Sequence, residues 1–198
     1  MSPELYIVVE GHTDEAVVRR VCAFLDIRVA RVFGKKGKDD IAKNLHRYNE
    51  AAKRSKWLVI RDLDHDAECA PSLKRNFATS SSQNLAICFA VREVEAWLLA
   101  DSENMSSFLK LGRKKLIPDN PEVLDNPKKT LVDIARLSTN KEIREDMVPS
   151  AGSGRKEGIL YSSKIVFFAT NIWNPEIAMN KCPSLNYCIE ELRRISGI

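Results

Sequence analysis

The sequence predicts an α/β protein with a mainly parallel sheet of about four strands flanked by helices. Four short apolar runs of strand length lie in the first half of the chain, and stretches with helical periodicity accompany them. Strands that alternate with helices favour parallel pairing, because each helix returns the chain to the same end of the sheet. The second half has the pattern of helices and loops. We therefore expect an α/β core over residues 1–101 and a helical extension over 102–198 that packs on it.

The first strand is "LYIVV", and it ends at Glu10 and Gly11. From Asp14 onward the apolar residues recur at helical spacing, which predicts a helix directly after the strand. We expect Thr13 to cap this helix, with Asp14 and Glu15 in its first turn, where carboxylates complement the helix dipole.

Three further strands complete the predicted core. "IRVARVF" is the second strand, "GKKGK" is a loop, and Asp39 or Asp40 is the expected cap of the helix "IAKNLHRYNEAAKRS". The third strand, "WLVI", runs into "RDLDHD", and "APSLKRNFATSSSQ" suggests a short helix and a polar loop. The fourth strand, "LAICFAV", leads into the helical stretch "REVEAWLLAD".

The extension should contain helices at "SENMSSFLK", "TLVDIARLS", "ILYSSKIVFFATNIW" and "SLNYCIEELRRI". Pro183 falls near the first turn of the last helix, where proline is well tolerated. Between these helices lie a basic, proline-punctuated segment and a polar stretch, and the glycines and serines around residues 151–158 suggest a mobile loop.

The composition excludes several classes of protein. The chain is 44% hydrophobic and 29% charged, which is typical of a globular protein and not of a disordered one. Its longest apolar runs fall far short of the roughly 20 residues that cross a bilayer, and no secretory signal precedes them, so we expect a cytoplasmic protein without membrane contact. The five cysteines include no C-x-x-C pair, and both they and the tryptophans are expected in the core.

Acidic residues follow three of the predicted strands: Glu10, then Asp62, Asp64 and Asp66, then Glu93 and Glu95. Open α/β sheets bind ligands outside the carboxyl ends of their strands, so these side chains could converge. Carboxylates held close together repel each other, and a fold that gathers them usually supplies a cation. Mg²⁺ suits such a site because it prefers hard oxygen ligands.

Other interpretations of "DLDHD" fit less well. A calcium-binding EF-hand loop would place glycine and glutamate where this chain has Ala67 and Leu73, so it is excluded. The D-x-D also resembles that of haloacid-dehalogenase phosphatases, although there it follows the first strand, and a phosphatase stays an alternative.

Together, "VVEGHTDEAVV" and "LVIRDLDHD" resemble the TOPRIM domain, over roughly residues 4–101. "VFGKKGKDDIAKNL" is similar to the glycine- and lysine-containing turn of the branch found in overcoming-lysogenisation-defect (OLD) nucleases. "VREVEAWLLAD" and the C-terminal tail look like small stand-alone TOPRIM-like proteins, which are often associated with bacterial defence systems and ATPase partners. The resemblance implies a TOPRIM/Rossmann-like sheet.

The resemblance also implies roles for individual residues. Glu10 corresponds to the TOPRIM glutamate, a metal ligand or general acid/base, and Asp62 and Asp64 correspond to the pair that binds one or two Mg²⁺ ions, for which Mn²⁺ can substitute. Further acidic candidates are Glu15, Asp66, Glu93 and Glu95. Of the last two, at most one need face the site. OLD-type nucleases add a downstream catalytic lysine, for which we favour Lys164 over Lys156.

Basic residues supply candidate nucleic-acid contacts. The "GKKGK" loop could bring backbone N–H groups and ammonium groups close to phosphate, although it is not a Walker A loop. The predicted contacts are Gly11, Lys35, Lys36, Lys38, Arg113, Lys114, Lys115 and Lys156.

These expectations combine into one functional hypothesis: a Mg²⁺-dependent nuclease acting on DNA or RNA, as an anti-phage effector with an ATPase partner. Two alternatives stay open, a non-catalytic module that binds nucleic acid or a partner protein, and a phosphatase of small substrates. The sequence leaves the oligomeric state open.

Overall fold

The computed structural model describes residues 3–64, 82–112 and 116–198. Within these ranges the sheet has four strands: β1 (Glu4–Val9), β2 (Arg28–Gly34), β3 (Lys56–Asp62) and β4 (Leu85–Ala90). They lie in the order β2-β1-β3-β4, and every neighbouring pair is parallel. The predicted α/β class and its four parallel strands are confirmed.

Helices cover both faces of the sheet and form most of the second half of the chain. The described α-helices are α1 (His12–Phe24), α2 (Lys38–Ala51), α3 (Val94–Ala100), α4 (Ser102–Phe108), α5 (Pro127–Ala135), α6 (Lys141–Met147), α7 (Tyr161–Asn171), α8 (Pro175–Met179) and α9 (Pro183–Ser196). A short 3-10 helix spans Pro121–Val123. The last helix has its proline in the first turn, as predicted.

The starts of α1 and α2 differ from the prediction. Gly11, not Thr13, is the N-cap of α1, and Gly37, not Asp39 or Asp40, is the N-cap of α2. Neither helix has a side-chain cap. At Gly37 the backbone has a φ of 82°, a left-handed conformation that glycine adopts at no steric cost, and this lets the helix begin earlier than the polar residues indicate.

Two hydrophobic clusters fill the two faces of the sheet. The smaller one lies beneath α2 and includes Val8, Ile41 and Trp57. The larger one joins residues of the first half, such as Trp97, to residues of the second half, such as Leu185. The sheet and the helices after residue 101 therefore share one core, with α7 packed on α1 and α9 packed on β4.

Other predictions about the core can be checked directly. Cys22, Cys88, Cys182 and Cys188 are buried free thiols, as expected, and Cys69 lies outside the described residues. The three tryptophans are buried. In the described parts of the chain no helix has the length and apolar character needed to cross a bilayer.

Candidate functional site

A cavity of about 340 Å³ opens at the carboxyl ends of β1 and β3, beside the first turns of α1 and α3. Its lining consists of Glu10, Gly11, His12, Thr13, Asp14, Gly37, Asp62, Glu93, Val94, Glu95, Lys128 and Ser162. Glu10, Asp62 and Glu93, which the sequence placed at three separate strand ends, therefore lie around one space. We call this space the acidic cavity.

Glu10 is held at the end of β1 by two donors. Its Oε1 accepts hydrogen bonds from Arg61 Nε at 3.4 Å and from the backbone N of Asp62 at 3.2 Å. Burial raises the pKa of Glu10, Arg61 opposes this, and the nearby Asp14 adds to the rise, so that the net pKa is raised.

Asp62 lies at the end of β3 and lines the acidic cavity. Its Oδ1 accepts a hydrogen bond from the backbone N of Val94 at 3.0 Å, at the N-terminus of α3. Burial raises the pKa of Asp62 well above its ordinary value, and the charges of Asp14, Glu95 and Glu10 raise it further. This crowding of negative charge is the arrangement that a cation relieves.

Asp14 was not among the predicted site residues. It is only 6% exposed, and its Oδ1 has no hydrogen-bond partner among the described residues. Burial raises the pKa of Asp14 more than the backbone N–H groups of Asp14 and Gly11 and the charge of Lys128 lower it. The space between residue 11 and the Asp14 carboxylate is narrow, because a Cβ on residue 11 would lie 3.2 Å from Asp14 Oδ2.

The sequence offered one signal for Asp14. It follows Glu10 by four residues, just after a tight strand-to-helix turn, and so lies at the same end of the sheet. Its place in the first turn of a helix had an ordinary local explanation, however, because carboxylates are favourable there. Its burial depends on packing that the local sequence does not reveal.

Glu93 and Glu95 both line the acidic cavity, although we expected that only one need do so. Glu93 Oε2 accepts a hydrogen bond from the backbone N of Lys128 at 2.8 Å, and Glu95 Oε1 accepts one from the Tyr161 hydroxyl at 3.2 Å. Because α3 begins at Val94, the two side chains no longer alternate as they would on a strand. Burial, followed by the charge of Glu93, raises the pKa of Glu95 to about 7.

Lys128 is the lysine that lines the acidic cavity. Its Nζ lies 3.1 Å from Glu157 Oε1 and 5.2 Å from the centre of the Tyr161 ring. The favoured candidate, Lys164, lies elsewhere. Its Nζ is 2.9 Å from carboxylate oxygens of both Glu142 and Asp146, and it lines a different cavity.

Two predicted acidic ligands, Asp64 and Glu15, form ion pairs with neighbouring lysine and arginine side chains. Asp64 Oδ2 lies 3.0 Å from Lys38 Nζ. Glu15 pairs with Arg19 at 2.8 Å and with Lys35 at 2.5 Å. Burial alone would raise the pKa of Glu15, but the hydrogen bonds from Lys35 and Arg19 outweigh it and lower the pKa. Neither residue is part of the lining.

The remaining predicted residues divide into two groups. Lys35, Lys36 and Lys156 are exposed, and Lys38 is half-buried beside Asp64. Asp66, Arg113, Lys114 and Lys115 lie outside the described residues.

Unusual backbone geometry marks the same edge of the sheet. Lys35, Asp64 and Arg92 follow β2, β3 and β4 and have φ values of 65°, 45° and 61°. Asp64 and Arg92 bind each other through Asp64 N to Arg92 O at 2.9 Å and Arg92 Nη1 to Asp64 O at 2.7 Å. Left-handed non-glycine residues are costly, and they concentrate at functional sites.

The residues of the acidic cavity fit a hard divalent cation in their chemistry. Among the described residues, no three side chains of the metal-binding types form a ready-made coordination shell. Glu10 and Asp62 each use one oxygen to accept hydrogen bonds from the protein's own donors, which leaves lone pairs on both carboxylates for a cation. Asp14 Oδ1 is buried and has no hydrogen-bond partner among the described residues.

Fold and cavity together define a class: an α/β protein with a carboxylate-lined cavity at the carboxyl edge of a four-stranded parallel sheet. No protein-family model matches the chain, and neither a curated protein nor a solved structure matches it. The resemblance to TOPRIM domains thus rests on the quoted sequence motifs alone.

Proposed function

We propose that this protein is a Mg²⁺-dependent, TOPRIM-type nuclease that cleaves phosphodiester bonds in DNA or RNA. The observation that carries the proposal is the buried carboxylate oxygen of Asp14, which has no hydrogen-bond partner among the described residues and belongs to a cavity lined by further carboxylates. Burial without a donor makes the charged form of this carboxylate costly, and a bound cation would remove that cost. A divalent cation relieves both that cost and the mutual repulsion of the neighbouring acids.

Glu10, Asp14 and Asp62 are the residues that would hold the ion, with Glu93 beside them. When bound, Mg²⁺ lowers the pKa of a water molecule and stabilises negative charge on a phosphate. The protein's own groups fix the carboxylates: Arg61 and the Asp62 amide orient Glu10, and the first amide of α3 orients Asp62.

Lys128 supplies positive charge at the rim of the acidic cavity. Its side chain is one-third exposed and its Nζ is paired with Glu157, so a cation lies at the cavity beside the carboxylates. We assign to Lys128 the electrostatic role that sequence reasoning gave to Lys164, namely to stabilise negative charge that develops on the phosphate.

A non-catalytic binding module is the second candidate, and one observation favours it. The three acids of the TOPRIM-like motif each already bind a donor: Glu10 binds Arg61, Asp62 binds the Val94 amide and Asp64 binds Lys38. Such pairing is also what a site without catalysis would have. The experiment below separates the two candidates.

The test incubates the purified protein with plasmid, single-stranded DNA and tRNA in Mg²⁺, Mn²⁺ or EDTA. We expect cleavage with a divalent ion, none in EDTA, and at least a 100-fold loss in Asp62→Asn and Asp14→Asn. Asp133→Asn, which alters an exposed acid on α5, is the matched control and should cleave normally. Full activity in both cavity variants, or no cleavage of any substrate, would overturn the proposal.

Two finer points have their own tests. Hydrolysis of p-nitrophenyl phosphate without cleavage of nucleic acid would identify a small-substrate phosphatase instead.

The defence role and the ATPase partner are supported by the resemblance of "VREVEAWLLAD" and the tail alone. Expression beside an ATPase encoded next to it, followed by co-purification and plaque counts, tests them.

A further inference from the structure

A second, basic groove lies next to the acidic cavity. It encloses about 570 Å³ and runs along one side of α2. Its lining consists of Lys36, Asp40, Lys43, Asn44, His46, Arg47 and Tyr48. From Asp40 to Tyr48 these positions recur at intervals of three and four residues, so most of them form one stripe on the helix, on the order of 12 Å long. We call it the α2 groove.

The cations of the α2 groove are available for a ligand. Lys36, Lys43 and Arg47 are exposed, and none of them forms an ion pair with a residue that the structure describes. Among the described lining residues the only carboxylate is that of Asp40, and it accepts a hydrogen bond from Asn44 at 3.2 Å. Lys36, Lys43 and Arg47 thus face a single carboxylate, and the groove has an excess of positive charge.

The groove also has a firm base. The ring of Tyr48 stacks on Trp57 with centroids 5.7 Å apart, and Trp57 is part of the cluster beneath α2. Ile41 is buried in the same cluster and anchors the other end of the helix. Because α2 is fixed on the sheet, the backbone positions of Lys43 and Arg47 are set before a ligand binds, and only their side chains have to be ordered.

One short segment connects the α2 groove to the acidic cavity. Lys36 lines the groove, and the next residue, Gly37, lines the cavity. The segment is tied to the end of β1 by hydrogen bonds from Lys35 N to Val9 O at 2.8 Å and from Gly37 N to Glu10 O at 3.3 Å. The α2 groove and the acidic cavity therefore meet at two consecutive residues, Lys36 and Gly37.

We propose that the α2 groove binds the phosphate backbone of a nucleic-acid strand and leads one of its phosphodiester groups to the acidic cavity. This inference rests on the proposed function and deepens it, because it makes an extended polynucleotide the substrate. Lys43 and Arg47 lie one helical turn apart, roughly 6 Å, so together with Lys36 they meet successive phosphates along a strand. A single small phosphate ester would engage only one of them.

Binding can be measured separately from cleavage. The full chain is titrated into fluorescein-labelled, 20-nucleotide single-stranded DNA in EDTA, and fluorescence anisotropy is recorded at several salt concentrations. The test variant is Lys43→Ala/Arg47→Ala. The control variant is Lys141→Ala/Arg193→Ala, which removes two exposed cations that have acidic partners on α6 and α9. All these side chains are at the surface, and circular dichroism checks that each variant is folded.

We expect the test variant to show a smaller dependence of log K on log salt, by about 1.4, since each phosphate contact on a single strand contributes about 0.7. Extrapolated from 1 M salt, that difference makes binding roughly 25-fold weaker at 0.1 M. The control variant should bind like the unmodified protein. Equal loss in both variants, or unchanged binding by the test variant, would overturn the proposal.

The remaining outcomes separate this proposal from the proposed function. Groove-dependent binding without any cleavage would support the α2 groove and count against the nuclease. Cleavage that depends on Asp62 but not on Lys43 and Arg47 would support the nuclease and overturn the groove. If the test mutations weakened the binding of labelled polyglutamate but left DNA binding unchanged, the groove would be a site for acidic peptides, and the proposal would be wrong.

Discussion

Replacing Glu95 with glutamine should stabilise the metal-free protein at high pH and leave it unchanged at low pH. Glu95 is 5% exposed, and its folded-state pKa of about 7 lies above the ordinary value of 4.5. The folded state therefore disfavours the charged form. This cost is absent below pH 4.5, where the carboxyl group is protonated in both states, and it is complete above pH 7.

The expected magnitude follows from the pKa of this one group. One pKa unit corresponds to about 1.36 kcal/mol, so a rise from 4.5 to about 7 corresponds to about 3 kcal/mol. Glutamine keeps the size of the side chain and the oxygen that accepts the Tyr161 hydroxyl, and it removes the charge. We therefore expect the free energy of unfolding of Glu95→Gln to exceed that of the unmodified protein by about 3 kcal/mol at pH 8.

Urea unfolding in EDTA at pH 4 and pH 8 measures this difference. Glu190→Gln, which alters an exposed glutamate on α9, is the control and should change stability by less than about 0.5 kcal/mol at either pH. The reasoning is refuted if Glu95→Gln changes stability equally at both pH values, because the effect would then come from packing. A loss of stability at pH 8 would refute it as well.

Three further predictions concern the acidic cavity and its surroundings. Mg²⁺ should raise the melting temperature of the unmodified protein in a concentration-dependent way, but it should not raise that of Asp14→Asn. An equal rise in both proteins would contradict the assignment of Asp14 as a metal ligand. Gly34→Ala should lower the free energy of unfolding in urea by about 1–3 kcal/mol, because residue 34 has a φ of 85° and a Cβ there would lie 2.3 Å from Val9 O. Unchanged stability would show that the turn can relax. Lys128→Met should slow cleavage about 100-fold and Lys164→Met less than twofold in single-turnover assays, and the reverse order would reinstate Lys164.

The strands and the position of the acidic edge were predictable because they depend on local patterns. Each strand is an apolar run of strand length with polar residues on both sides, and such a run can be recognised without its neighbours. Parallel pairing of the strands then brings Glu10 and Asp62 to the same edge of the sheet. The helix starts were less predictable. Polar cap residues are a statistical preference, and here Gly37, with its left-handed φ, allows α2 to begin sooner, whereas Gly11 is the N-cap of α1 in an ordinary extended conformation.

The members of the site that come from the extension could not be predicted in the same way. Spacing along the chain does not say which lysine reaches the sheet edge, and only the packing of α5 and α7 places Lys128 and Tyr161 beside Glu95. Asp14 was missed for a related reason, because its local setting is that of an ordinary first-turn carboxylate. Helices α6 and α8, of seven and five residues, were not predicted, whereas α3 and α4, also of seven residues, were.

The buried helix α3 makes the acidic edge sensitive to distant changes. Glu93 and Glu95 are at its start, every residue from Val94 to Ala100 is buried, and Trp173 on the far side donates its Nε1 hydrogen to Trp97 O at 3.1 Å. A substitution that leaves a cavity near Trp173 would let α3 shift by a fraction of an ångström. Glu93 and Glu95 would then move with the helix. Substitutions far from the acidic cavity could thus change its geometry without touching any residue of its lining.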